Sequence, residues 1–366
     1  MPTATVLVVN AGSSSLKVRV LGPDDEVLAS CDAAAGHEAE VIAGFLDGAP
    51  EPDAAGHRVV HGGADLTTAV RLDAAVERRL DGLVELAPLH NPPALRGIRA
   101  LHELRPHLPA VACFDTAFHS TLPAEAFTYA VPADWSERWP LRRFGFHGLS
   151  HAYASRRAAE LLRRPPEGLR LVTAHLGAGA SLAAVAQGRS VDTTMGFTPL
   201  EGLAMATRSG SVDPGLLLWV QRHAGIDPAT AERALDREAG LSALSGRSGD
   251  MRELLAGVDE RDERCTLALA VYLHKLAAGV AAMVAAMGGL DALVFTGGVG
   301  ENAPRVREAA VERLRFLGLE VTGRTNTAKE PADRVVSPAG SPAAVVVVAA
   351  REDLAIAREV RAVLER

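Results

Sequence analysis

One local plan recurs along this chain, and it restricts the fold more than any single residue does. An apolar strand runs into a small, polar, glycine-containing turn and comes back as a second strand. The plan is read at residues 6–17, VLVVNAGSSSLK, and again at residues 171–185, LVTAHLGAGASLAAV. After the first turn Lys17-Val18-Arg19-Val20-Leu21 alternates polar and apolar, which marks a β-hairpin. A P-loop would instead end in Gly-Lys-Ser/Thr and enter a helix. A third strand and turn, LVFTGGVGEN at 293–302, does lead into a helix. Turns so stripped of bulk let the backbone approach an anion. In the first one, main-chain N–H groups, the hydroxyls of Ser13, Ser14 and Ser15 and the Lys17 ammonium offer a nest of donors suited to phosphate.

With 366 residues the chain exceeds one ordinary core and suggests two domains. Short apolar runs predict strands at 6–9, 58–61, 110–114, 169–175, 290–296 and 344–348, alternating with amphipathic helices in an α/β arrangement with mixed sheets. Asp213-Pro214 opens a helix that Gly225 closes. Asn302 with Pro304 opens another that stops at Gly318, its inner face carrying Val306, Ala310, Leu314 and Leu317. A final helix over 352–364 repeats the pattern through Leu354, Ala357, Val360 and Leu364. Two similar halves with glycine turns facing one cleft resemble the plan of the actin-like nucleotide-binding folds. That analogy alone licenses only nucleotide binding.

A formal net charge of −7 without any dense Lys/Arg run argues against a nucleic-acid or membrane-surface binder. Cys31, Cys113 and Cys265 are far apart and form no metal-binding spacing, so a reducing compartment and a cytoplasmic location are expected. The N-terminal residues carry no secretory signal pattern. The most apolar long segment, 266–290, holds His274 and Lys275 near its middle. It is read as a buried helix between domains, because central charges are costly in a bilayer.

Further clusters are more specific: GHRVVHGG at 56–63, ELAPLHNPPAL at 85–95, FDTAFHSTLP at 114–123, FGFHGLSH at 144–151 and MGFTPLEGLAMATRSG at 195–210. With the first hairpin they resemble, in collinear order over essentially the whole chain, the acetate and propionate kinase family. The resemblance implies a duplicated actin-like (ribonuclease H-like) two-domain fold with the active-site cleft between domains. It divides the chain into residues 1–148 plus 354–366, carrying the acid side and the phosphate hairpin, and residues 149–353, carrying nucleotide binding and dimerisation. The implied reaction is reversible transfer of phosphate from ATP to acetate, giving ADP and acetyl phosphate. Mg2+, or Mn2+ in its place, would be the metal, and a homodimer the assembly.

The resemblance also assigns residues. Arg58 and Arg208 match two active-site arginines, His147 a donor to the phosphoryl group in flight, and Asp115 an aspartate that orients arginine and water. Asn10 and Glu352 match residues associated with the metal. Ser13, Ser15 and Lys17 belong to the phosphate hairpin, and His175, Gly177 and Gly179 to the second phosphate loop. Gly297, Gly298, Gly300 and Asn302 lie along the nucleoside. Asp250 and Arg252 match an Asp-X-Arg element near the adenosine, although Asp250 also suits a helix N-cap. Val60, Leu89, Phe146 and Pro199 match the apolar wall that sets acid length.

Three departures stand out. Ala178 occupies the place of an asparagine in the second phosphate loop, Ala350-Arg351 replaces the usual Thr-Asn before Glu352, and the stretch between the first hairpin and Gly56 is shortened. A propionate or other short-acid kinase would share every catalytic residue. A non-catalytic actin-like nucleotide binder would have no use for the acid-side set of Arg58, Asp115, His147 and Arg208.

Overall fold

The computed structural model describes residues 4–12, 15–88 and 90–365; Ser13, Ser14 and Leu89 lie outside the described residues. The first hairpin forms as expected. β1 (Val6–Ala11) and β2 (Ser15–Leu21) are antiparallel, with Asn10 opposite Lys17. β3 (Val27–Ala34) continues the meander, and β4 (Ala54–Val59), β5 (Val70–Arg71) and β6 (Ala110–Phe114) complete a six-stranded sheet in the order β3-β2-β1-β4-β6-β5. β1, β4 and β6 are parallel, and β5 is antiparallel to β6.

The second sheet repeats this strand for strand. β7 (Arg170–Leu176), β8 (Ala180–Ala186) and β9 (Arg189–Thr193) make the meander, and β10 (Ala292–Thr296), β11 (Arg334–Val335) and β12 (Ala344–Val347) follow. The order is β11-β12-β10-β7-β8-β9, with β7, β10 and β12 parallel and β11 antiparallel to β12. The repeat seen in the glycine turns is thus a duplication of the whole sheet.

The chain divides into two compact units. One comprises Met1–Ser120, Phe146–Tyr153 and Arg351–Arg366; the other comprises Thr121–Gly145 and Ala154–Ala350. In the first unit β4 separates two faces, because successive side chains point opposite ways. Ala55 and Val59 join apolar clusters that include Ala100, Leu101, Leu95 and Ile98 of the helix Asn91–Leu104. Gly56, on the other face, admits the helix Glu352–Leu364. A Cβ there would lie 2.4 Å from Ile356 Cγ2 and 2.6 Å from Val360 Cγ2. That helix is pinned by Arg361, which donates to Asp25 Oδ1 at 2.6 Å, to the Gly22 carbonyl at 2.6 Å and to the Ala4 carbonyl at 3.1 Å.

Several boundaries differ from the sequence expectation. The strand placed at 58–61 starts at Ala54 and ends at Val59. Its first half is small residues, and Gly63, at φ 67°, belongs to the turn that follows. The helix expected to open at Asn302 is split: the glycine loop itself is helical over Gly297–Asn302, Pro304–Arg313 follows, and a 3-10 turn, Arg315–Leu317, ends at left-handed Gly318. The 266–290 segment is the helix Glu263–Met287, capped by Asp262 and closed by left-handed Gly288. By length and composition alone it could cross a membrane. It is buried along one face and not throughout: Tyr272, Leu276 and Val280 are covered while Leu267 is 57% exposed. The covered face packs within the second unit against the helices Gly240–Ser245 and Met251–Asp259 and against β8.

Candidate active site

Parallel strands in an α/β sheet present their carboxyl ends as a common edge for ligands. In the first unit β1, β4 and β6 bring Asn10, Arg58 and Asp115 to that edge. Arg58 donates to Asp115 through Nη2 at 2.5 Å and through Nε at 3.1 Å to both carboxylate oxygens. Its Nη1 reaches Asn10 Oδ1 at 3.1 Å. Asn10 Nδ2 donates to Glu352 Oε2 at 3.0 Å, and that oxygen lies 3.9 Å from Arg58 Nε. The four residues are therefore one network, although Glu352 comes from the far end of the sequence.

The network is largely out of water: Asp115 is 1% exposed and Arg58 15%. Burial opposes the charge on Arg58, but Asp115 and Glu352 more than offset it and its pKa is raised, so the guanidinium stays charged. Burial pushes the Asp115 carboxyl above its ordinary value; Arg58 pulls the other way and Glu352 adds to the rise. The arginine is held by forked hydrogen bonds in one orientation.

His147, just before the helix Gly148–Leu162, is tied to the same strand end. It sits at φ 56°, in the left-handed region, and the next residue, Gly148, donates its N–H to the Asp115 carbonyl at 2.8 Å. Phe146, 1% exposed, packs edge-on to His61 with ring centroids 5.5 Å apart. Burial lowers the His61 pKa to about 4 and so keeps the ring neutral. Its backbone N–H and carbonyl are both met by the Asn91 side chain. Val60 is 5% exposed. Ser15 closes the first turn by accepting from the Gly12 N–H at 2.8 Å, and Lys17 is exposed on the face of β2 that also carries Arg19. Ser13 and Leu89 fall outside the described residues.

In the second unit Arg208 is held by Asp236, Nε to Oδ1 at 2.7 Å. The loop after β7 is closed by the Gly177 N–H donating to the Gly179 carbonyl, and the Ala178 carbonyl accepts from Ala206 while its methyl points to solvent. His175 is the penultimate residue of β7, just before this loop. Gly297, at φ 79°, has room for no side chain, because a Cβ would lie 2.8 Å from the Leu176 carbonyl oxygen. Gly298 is open, Gly300 packs behind Phe295, and Asn302 Nδ2 donates to the Gly298 carbonyl. Asp250 caps the helix Met251–Asp259 and also takes Arg252 Nη2 at 2.6 Å. That guanidinium holds the carboxyl down at about 2, with Arg252 itself 90% exposed. Pro199 lies in the segment that Tyr129 and Arg143 brace: Tyr129 Oη donates to Glu201 at 2.6 Å and accepts from the Phe197 N–H, and Arg143 Nη2 donates to Glu201 at 2.8 Å.

Sequence reading missed the supports. Asp236 sits at the end of an exposed helix with no motif around it. Arg307 is fully buried; it donates to the carbonyls of Gly300 and Glu301, each at 2.8 Å, and to Asn326. The helical spacing that placed Val306 and Ala310 inside also places position 307 close to the covered face, but an arginine there reads as solvent-facing by type.

Duplicated mixed sheets with a buried cation–carboxylate cluster at the strand ends define a two-domain α/β protein of the actin-like class. The sequence profile of the acetokinase family matches residues 44–358, and the chain belongs to that family. It is 45% identical to an acetate kinase of Microcystis aeruginosa over 96% of this chain and 89% of that one. An acetate kinase of Clavibacter sepedonicus is 44% identical, with 97% and 98% covered. Among solved structures, Porphyromonas gingivalis acetate kinase matches with a TM-score of 0.91 at 36% identity, covering 98% of this chain and 99% of that one. A propionate kinase from Francisella tularensis matches with a TM-score of 0.89 at 33% identity, covering 98% and 99%.

Proposed function

We propose that this chain catalyses reversible, direct in-line phosphoryl transfer between ATP and acetate, giving ADP and acetyl phosphate. The observation that carries this reading is the Arg58 network, a fixed and permanently charged guanidinium at the strand edge with Asn10, Asp115 and Glu352 around it. Acetate, like other carboxyls of reference pKa about 4, is already ionised at neutral pH and needs no general base. The obstacle is bringing one anion against another, so the work is positioning and charge neutralisation. Arg58 takes the acid and the transferred group, Asp115 keeps Arg58 aligned, His147 donates to the phosphoryl oxygens, and Arg208, steadied by Asp236, supplies a second planar cation.

The donor set suits Mg2+, which takes few protein oxygens and keeps much of its water. Glu352 offers a carboxylate and Asn10 an amide oxygen, and Mn2+ would accept the same pair. Bound there, the ion would neutralise phosphate charge. The second unit is assigned the nucleotide through residues 175–179, the turn at Gly297, Gly298 and Gly300 with Asn302, and the Asp250–Arg252 pair. Ser15 and Lys17 of the first hairpin, with Ser13, are assigned to phosphate.

Val60 and Phe146 supply covered apolar surface for a methyl group, with Leu89 and Pro199 assigned to the same wall. One methylene is worth only about 1–3 kcal/mol in such a pocket. Propionate is therefore a second substrate, in keeping with the similarity to the Francisella propionate kinase. Exposed Leu216, Leu218 and Trp219 on one helix of the second unit support a homodimer, and three unpaired cysteines support a cytoplasmic location.

Hydroxamate trapping of acetyl phosphate from acetate and Mg-ATP tests the reading, with propionate run in parallel. Acetate-dependent product, lost in Arg58→Ala, is expected. A folded protein that binds nucleotide yet gives no product with either acid would refute it.

A further inference from the structure

From Thr194 to Glu201 the chain, which carries Pro199, forms neither strand nor helix. Its single internal main-chain bond among the described residues, from the Gly196 N–H to the Thr198 carbonyl, is long at 3.3 Å. The remaining main-chain groups need partners from elsewhere, and residues 121–145 of the same unit supply them. Arg143 Nη1 donates to the carbonyls of Thr193, Thr194 and Met195 at 3.1, 3.2 and 3.1 Å. The Gly196 carbonyl accepts from the Phe144 N–H at 3.0 Å.

Glu201 ties these bonds together. Its Oε1 takes Arg143 Nη2 at 2.8 Å and its Oε2 takes the Tyr129 hydroxyl at 2.6 Å, while Tyr129 Oη accepts from the Phe197 N–H at 2.9 Å. Tyr129 and Arg143 are brought side by side by the antiparallel bridge between Thr128 and Arg142 and by the Arg143 N–H, which donates to the Phe127 carbonyl at 2.8 Å. Burial, with Glu201 beside it, raises the Tyr129 pKa, so the hydroxyl remains a donor. The clamp sits so close over the loop that a Cβ on Gly196 would overlap both Glu201 Oε2 and Tyr129 Oη.

An arginine fork with several fixed partners sets position more strictly than a flexible point charge does. We infer that Arg143, Tyr129 and Glu201 are positioning residues that set acid length by holding the Pro199 segment rigid. Against a rigid wall an added methylene is overpacking; a wall that yields admits it. The inference rests on the phosphoryl-transfer reading and on the assignment of Pro199 to the acid wall.

The test is the hydroxamate assay with acetate, propionate and butyrate on the parent, Tyr129→Phe and Arg143→Lys. Tyr129→Phe removes one oxygen, and with it the bonds to Glu201 and Phe197; Arg143→Lys keeps the charge and loses the fork. In both, kcat/KM for propionate and butyrate relative to acetate should rise, by about fivefold for propionate in Tyr129→Phe, less than the full worth of one methylene. KM for ATP should stay within about twofold of the parent, since the clamp acts on the acid alone. Arg164→Ala, which breaks an exposed pair with Asp291 elsewhere in the same unit, should leave the ratio at the parental value. Should Arg143→Lys fail to fold, Tyr129→Phe decides. An unmoved ratio in folded Tyr129→Phe would overturn the inference, as would equal losses for all three acids with KM for ATP rising alongside, the mark of a merely structural part. A parent that makes no product from any of the acids is a separate result: it would refute the phosphoryl-transfer reading itself and take this inference with it.

Discussion

Replacing Gly148 by alanine is the sharpest test of the acid-side geometry, because it perturbs position without altering any charged group. The added Cβ would stand 2.1 Å from the Asp115 carbonyl oxygen and 3.0 Å from Phe118 Cβ, whereas ordinary contact begins near 3.4 Å. The two backbones must therefore part by about 1.3 Å, stretching the 2.8 Å bond from the Gly148 N–H to Asp115. Asp115 holds Arg58, and His147 is the residue immediately before the glycine, so the separation opens the site from both sides. A misplacement of about 1 Å costs on the order of 100-fold in rate. The hydroxamate assay on Gly148→Ala should show kcat lower by about that factor, in a chain that still folds. Gly82→Ala, where a Cβ meets nothing within 4 Å, should stay at the parental rate. A folded Gly148→Ala within twofold of the parent would refute the coupling of His147 to Asp115.

Other substitutions probe the remaining parts. The buried rings of His57, His61 and His119, each lowered to about 4 chiefly by burial, against 6.5 when unfolded, are neutral in the fold. Their contribution to stability is complete above pH 6.5 and lost as pH falls toward 4, by up to about 3 kcal/mol each. Denaturant titrations across that window should show the loss, and His57→Leu should remove about a third of it; a pH-independent midpoint would contradict the assignment. Arg307→Ala strips donors from the Gly300 and Glu301 carbonyls, each worth about 1–3 kcal/mol when left buried and unmet. It should lower the melting temperature and raise KM for ATP well above any change in KM for acetate; equal changes in both would sink that role. Ala178→Asn adds an amide at a solvent-facing position of the second phosphate loop. It should leave stability unchanged and lower KM for ATP by up to about tenfold, the worth of one hydrogen bond; an unaltered KM would remove that loop's side chain from the nucleotide site.

What the sequence disclosed was carried by local signals. Both hairpins, the Asp213-Pro214 start and Gly225 stop of one helix, and the apolar stripe of the C-terminal helix were legible because caps, glycines and periodicity act over a few residues. The network of Asn10, Arg58, Asp115 and Glu352 was legible only as separate motif positions; the sequence held no sign that Asn10 bonds Glu352. β4 was placed late because Ala54, Ala55 and Gly56 lack the branched bulk that marks a strand, and Gly56 has to be bare because a helix some 300 residues away packs against it. Asp236 and Arg307 went unread for a common cause. Each has its meaning from a tertiary neighbour, and nothing in its own segment marks it.

The place of the C-terminal helix has a consequence for a chain made from its N-terminus onward. The sheet of the first unit is spelled out by residue 114, but the helix that covers β1, β4 and β6 lies beyond the entire second unit. At typical elongation rates of 5–20 residues per second, the roughly 240 intervening residues take on the order of 12–48 s to emerge. For that interval Gly56 and the strands beside it present bare backbone and valine to the cellular milieu. The nascent first unit then needs shelter until the helix bearing Ile356, Val360 and Arg361 arrives, and Glu352 reaches the network only with it.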